Sequence, residues 1–307
     1  MKVSALKIFL LVLMTVSLIA VGRVTVAETA GADLDEIKVS IEKAPLPQEK
    51  RTSLLKRASD AVNAGIPPAD VAVIVKRGLA RGVESKTIEE LIAIPVSARE
   101  QNLPVRPVLD RVQQGLSKGV PPERISAFSR RLLEKLAAAD KIVSGIEKGG
   151  IKADKKPYRE EGTHTVARAL EKAVPEDMIT KVGLKATQKR ASFTTFNAAI
   201  NTVTTFVEMG MPLEQAAKLI NKAIDKGYSE KEMLIMERGM AHEMRDGMKM
   251  EDIMNGMDSM MNSGTMGSWS KGMGGGPMQG SGSTIHTTPG MGTHHGPGGG
   301  GMGSHGH

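Results

Sequence analysis

The chain of 307 residues contains no cysteine. That excludes a disulfide framework, a thiolate metal site, a cysteine nucleophile and lipidation of an N-terminal cysteine. Aromatic side chains are almost as scarce, with one Trp, two Tyr and five Phe, so any core must be built from Ala, Val, Ile, Leu and Met. A strong charge of one sign is missing too. The net charge is +7, and three of the positives (Lys2, Lys7 and Arg23) lie in an N-terminal segment that reads as removable. Without them 38 basic residues face 34 acidic ones, a balance of +4 that is too weak a field to point to nucleic acid.

Catalytic signatures are absent as well. There is no Gly-x-Ser-x-Gly elbow and no His-Glu-x-x-His pair, and Gly272-Met273-Gly274 lacks the following helix that a phosphate loop needs. Carboxylates such as Glu89-Glu90, Glu160-Glu161 and Glu251-Asp252 sit in ordinary helix-surface settings. His164, in Gly162-Thr163-His164-Thr165, reads as a capping or surface histidine at a helix start, and His242 as a solvent-facing one. The expectation is a protein that is not an enzyme and has no organic cofactor.

The first residues look like an address. Lys2 and Lys7 precede a fifteen-residue apolar run, Ile8 to Gly22, and Thr25-Val26-Ala27 then offers small residues where a signal peptidase inspects them. This is the order of a secretory signal peptide, residues 1–27, with cleavage after Ala27. A membrane anchor is the competing reading, but fifteen residues fall short of the roughly 20 that a bilayer requires. No other stretch is long and apolar enough to span, so a periplasmic or secreted chain is expected, with no transmembrane segment after cleavage.

What the chain has in abundance is glycine and methionine, 34 and 20 residues. Glycine marks a period. Gly65-Ile66-Pro67-Pro68 returns as Gly119-Val120-Pro121-Pro122 and as Gly210-Met211-Pro212-Leu213, with weaker copies at Gly82, Asn102, Gly227 and Gly247. Gly65 to Gly82 is 17 residues, Gly82 to Asn102 is 20, and Asn102 to Gly119 is 17. Gly210, Gly227 and Gly247 repeat the 17 and the 20, and Ala173-Val174-Pro175 lies 37 before Gly210-Met211-Pro212. A period of that size marks stacked supersecondary units.

Each unit reads as helix, left-handed closing residue, apolar residue packing back, then proline in the first turn of the next helix. Where proline is missing, Ser229 and Glu232 make a capping box. Apolar stripes fall at helical spacing: Val71, Ile74, Val75, Leu79; Ile125, Phe128, Leu132, Leu136; Leu213, Ala217, Ile220, Ile224. The β-branched run Val71 to Val75 suits a strand by composition, but its caps and register favour helix.

The expected fold is therefore all-α. It is an array of short helical hairpins with a period of about 37 residues (17+20), packed as a solenoid or a bundle. An N-terminal linker spans 28–50, helical block 1 spans 51–148, a polar linker spans 149–162, and helical block 2 spans 163–262. A Gly/Met/His-rich tail, 263–307, follows.

Methionine is concentrated late, with 17 of 20 between Met209 and Met302. Met233, Met236, Met240, Met244 and Met248 follow one helical face, and Met250, Met254, Met257 and Met261 another. Such stripes read as an adaptable core or partner groove, with a soft-metal face as the sharper alternative. In the tail, 17 of 45 residues are Gly and Lys271 is the sole charge, so it should behave as a coil. Yet it holds His286, His294, His295, His305 and His307 with Met266, Met273, Met278, Met291 and Met302. Imidazole and thioether are ligands for Cu, Ni or Zn ions, so these ten residues form a candidate metal-binding set. The competing reading makes the tail a flexible spacer on a scaffold that binds a protein partner through its helical repeats or Met-rich helix.

Overall fold

Every helix from α2 to α11 ends in the same way, and that ending dictates the architecture. In the computed structural model, which describes residues 34–264, twelve helices follow one another and no strand occurs among the described residues. They are α1 (34–42), α2 (Gln48–Asn63), α3 (Pro68–Ala80), α4 (Ser85–Glu100), α5 (Arg106–Ser117) and α6 (Pro122–Lys148). Then come α7 (Lys156–Glu171), α8 (Glu176–Gln188), α9 (Phe193–Glu208), α10 (Leu213–Asp225), α11 (Glu230–Arg245) and α12 (Met250–Ser263). No helix among the described residues is long and apolar enough to cross a membrane.

At the end of α9, Gly210 takes φ +95°, a conformation that costs an L-residue with a side chain. This turns the chain so that the N–H of Met211 donates to the carbonyl of Phe206 at 2.9 Å. Met211 then packs back into the core. The same six-residue bond recurs from Ile66 to Ala61, Val83 to Gly78, Val120 to Gly115 and Tyr228 to Ala223. Three closing positions lack glycine: Asn102, Ala173 and Arg190 adopt φ of 57°, 60° and 54°. Arg190 carries no sequence signal of its role. The next helix starts at once, with Pro68 and Pro122 in first turns, and with Ser229 and Glu232 forming the expected capping box on α11.

These short links fold the helices into two layers. Among the even-numbered helices α2 packs on α4, α4 on α6, α6 on α8, and α8 on α10. Among the odd-numbered ones α3 packs on α5, α7 on α9, and α9 on α11. The core between them is aliphatic, as the shortage of aromatics requires. The Val71 to Val75 run is helical and buries Val71, Ile74 and Val75.

Three expectations are corrected. Residues 34–42, placed in a linker, form α1, because Ile37 and Ile41 at helical spacing are fully buried. The polar segment 149–162 is helical from Lys156 onward. Arg159 pins this first turn of α7 to α6 through Asp140 at 2.6 Å, Ser144 at 2.9 Å and Glu147 at 3.0 Å. Gly162 is a packing glycine there and no breaker, since a Cβ would stand 2.5 Å from Phe193 Cζ. Phe128, placed in the core stripe of α6, is 40% exposed. Ile125 seats against Gly115, where a Cβ would lie 2.7 Å from Ile125 Cγ1, and this turns Phe128 outward beneath the Arg124 guanidinium.

The closing turns can be tested directly. Ala173→Gly should stabilise the fold by about 1 kcal/mol, because it relieves a left-handed L-residue. Gly210→Val should destabilise by about 1–2 kcal/mol on backbone grounds alone, since no atom lies within 4 Å of an added Cβ. Gly162→Ala should cost about 1–3 kcal/mol through overpacking. Denaturant midpoints compared with wild type measure all three, and an unchanged midpoint for Gly210→Val contradicts the closing role.

Candidate functional site

The methionine stripes resolve into core. Met233, Met236 and Met240 of α11 and Met257 and Met261 of α12 are all 0% exposed. Met250, Met254 and Met260 are partly buried against them, and only the α11 end leaves methionine in solvent, at Met244 and Met248. The unbranched thioether fills the irregular space that short crossing helices leave. The His242 side chain is 41% exposed, as the solvent-facing reading expects, with Nδ1 3.2 Å from Asp246 Oδ2.

Among the described residues no three His, Asp or Glu side chains come close enough to hold a metal ion. The ten tail residues read as metal ligands, His286, His294, His295, His305, His307, Met266, Met273, Met278, Met291 and Met302, all lie outside the described residues. So does the segment 1–27. His164 lies within α7, well past the helix start, beside Glu171, Arg168, Arg111 and Asp110. It is exposed, as a surface histidine is expected to be, and partial desolvation by the neighbouring helices pushes its imidazole below the ordinary value of 6.5, with Arg168 and Arg111 acting in the same direction against Glu171.

The most defined concavity is a cleft of about 210 Å³ across α7, α9 and α11. It is lined by Glu161, Asn197, Asn201, Glu230, Leu234 and Glu237, with Thr165 and Ala198 completing the wall. A polar ladder fixes its floor. Arg168 Nη1 donates to Asn201 Oδ1 at 3.2 Å, which sets the amide so that Asn201 Nδ2 donates to Glu237 Oε1 at 3.1 Å. The Thr202 hydroxyl lies 2.6 Å from the same Oε1 and shares its proton with the Ala198 carbonyl at 2.9 Å. Arg168 is itself anchored on Glu208.

What remains open in the cleft is acceptor capacity. Asn197 Oδ1 is buried and has no partner among the described residues. Glu161 and Glu230 form no ion pair there, and no cation lines the wall. A second, wider cleft on α8, α10 and α12 is different in kind. Three of its four lysines are paired in place, Lys181 with Asp177 at 3.1 Å, Lys185 with Asp225 at 2.5 Å and Lys222 with Asp258 at 2.6 Å. The α7/α9/α11 cleft thus joins two carboxylates without an ion pair to a buried amide oxygen without a partner.

The sequence reading missed these residues. A signal was present, because Thr165, Asn201 and Glu237 are spaced by 36, as are Glu161 and Asn197, and Ala198 and Leu234. Equal spacing brings them to equal heights on neighbouring helices. Comparison with known proteins gives no match: no family model, no curated protein and no solved structure is similar to the chain.

The ladder carries a pH signature. Burial works to raise the Glu208 carboxyl, but hydrogen bonds from Lys172 and Arg168 outweigh it and hold it below its ordinary value of 4.5. The Lys185 hydrogen bond lowers Asp225 in the same way, and the Lys222 bond lowers Asp258. A carboxyl depressed in the fold contributes stability that is present above its unfolded value and lost as pH falls through the folded one. Glu208→Gln should therefore be less stable than wild type at pH 7, with the gap closing below about pH 4.5. Urea unfolding at pH 7 and pH 3 reads this, and a gap that is the same at both pH values contradicts it.

Proposed function

We propose that the chain is an exported, non-enzymatic helical-repeat protein whose body is a scaffold for binding other proteins. In this reading a signal peptide is removed after Ala27, and the mature chain works in the periplasm or outside the cell. Stacked helical hairpins with a period near 37 residues form the scaffold. Support for the repeat comes from the two-layer packing of alternate helices and from the equal spacing of the cleft residues.

The observation that carries the binding role is the α7/α9/α11 cleft. It combines positioned amides and unpaired carboxylates with an exposed leucine, Leu234, at its rim. Recognition surfaces join polar groups of fixed direction to an apolar anchor in this way. Peptide display on the purified protein tests the role. Selected sequences should protect amides of α7, α9 and α11 in hydrogen exchange, and selection that yields no binder at these helices overturns it.

A second reading concerns the tail, 263–307. Its histidines and methionines would bind or buffer copper, nickel or zinc, and the support is compositional: soft and borderline ligands are enriched while acidic residues are excluded. Burial of the helical methionines in the core adds to this, since it removes the principal competing thioether face. Titration of Cu(I), Cu(II), Ni(II) and Zn(II) into the whole protein and into a chain ending at Asn262 separates tail binding from body binding. Affinity in the whole protein no better than that of free imidazole reduces the tail to a spacer.

A further inference from the structure

The cleft on α7, α9 and α11 has an unpartnered counterpart of opposite charge elsewhere in the fold. Where α5 meets α6, a hollow of about 170 Å³ is lined by Arg111, Gly115, Lys118, Val120, Ile125 and Phe128, with no carboxylate among its lining residues. Phe128 stands 40% exposed beside it, with the Arg124 guanidinium 6.0 Å from its ring centroid. Arg111 is engaged by Glu171 at 3.1 Å, but Lys118 and Arg124 have no carboxylate partner among the described residues. Two free cations thus flank an exposed aromatic ring.

The two surfaces are opposite in charge and alike in carrying an exposed apolar side chain. One offers unpaired Lys118 and Arg124, the other unpaired Glu161 and Glu230 and the orphan acceptor Asn197 Oδ1. Each places one large apolar side chain at its edge, Phe128 on the first and Leu234, 41% exposed, on the second. Aromatic and arginine side chains are the usual anchors of protein interfaces, and opposite charge sets their register. The spread of the cleft acceptors also selects its occupant. No three carboxylates or imidazoles gather there to hold a metal ion, whereas a planar guanidinium carries five N–H donors and an apolar stem that can lie on Leu234.

We propose that the α5/α6 surface, with Arg124 and Phe128 at its centre, docks into the α7/α9/α11 cleft of a second copy of this chain. The proposal rests on the scaffold reading and names the partner of that cleft. Because the two surfaces are different patches of one molecule, the contact is head-to-tail. Repeated from copy to copy, such a contact closes into a ring or extends as an open filament according to the rotation between neighbours.

Sedimentation of the purified protein across a concentration series tests this. The weight-average mass of wild type should rise with concentration and return to monomer in 1 M salt, where the screening length is about 3 Å. Lys118→Glu with Arg124→Glu should abolish association, and so should Glu161→Gln with Glu230→Gln. Mixed together, the two variants should form a 1:1 dimer and stop there, since only one intact surface of each remains to be joined. All four positions are exposed at the surface, and matching melting curves confirm that both variants fold.

A monomeric wild type at every concentration overturns the proposal, and so does a mixture that fails to dimerise. The scaffold reading fails separately, when peptide display finds no binder at α7, α9 and α11.

Discussion

The structure depends on one local constraint, the left-handed residue that closes each helix from α2 to α11. It aims the following N–H at the carbonyl five residues back, as from Met211 to Phe206 at 2.9 Å, and satisfies a group that would otherwise be orphaned. It also reverses the chain within four residues at most links, with five between α4 and α5 and seven between α6 and α7. With links that short, a helix must pack against its immediate neighbour, and the helix after that returns to the first one's side. Two layers of alternate helices follow from this turn without any long-range instruction.

Close approach between the layers then falls to small residues. Gly183 admits Ile146, whose Cδ1 would lie 2.4 Å from an added Cβ, and Gly162 admits Phe193. The few aromatics are spent where they fill most space: Phe193 and Phe196 meet edge-on at 6.0 Å, both buried between helices. Toward the C-terminal end methionine takes over this filling from Ile, Val and Leu. A composition that suggests metal chemistry on paper is accounted for in α11 and α12 by packing.

Polar side chains do the complementary work on the outside of the layers. Asp70 to Arg106, Lys172 to Glu208, Asn201 to Glu237 and Lys222 to Asp258 each join a helix to the one two further along. Exposed pairs of this kind contribute little to stability individually. They do set register, and through Arg168 and Asn201 that register orients the Glu237 carboxylate in the cleft. Unpaired charge lies beside an exposed apolar side chain on two of the concave surfaces, Glu161 and Glu230 near Leu234, and Lys118 and Arg124 near Phe128.

Helix ends were legible in the residues themselves, because glycine after an apolar run and proline or a Ser/Glu pair before the next act through local backbone chemistry. The capping box at Ser229 and the left-handed turns at Gly65 and Gly210 need no tertiary information. Arg190 and Ala173 were less legible, since the surrounding packing imposes a conformation that their side chains disfavour. Tertiary structure alone decided what a given face would meet. Phe128 shares the spacing of Ile125 and Leu132 yet turns outward, Gly162 resembles a breaker yet lies inside α7, and the methionine stripes face inward. The cleft is of the same kind: its residues come from three helices, and only the packing of α7, α9 and α11 brings residues 36 positions apart to one wall. Periodicity specifies which residues share a face of one helix, but the identity of the opposing surface depends on where its neighbours come to rest.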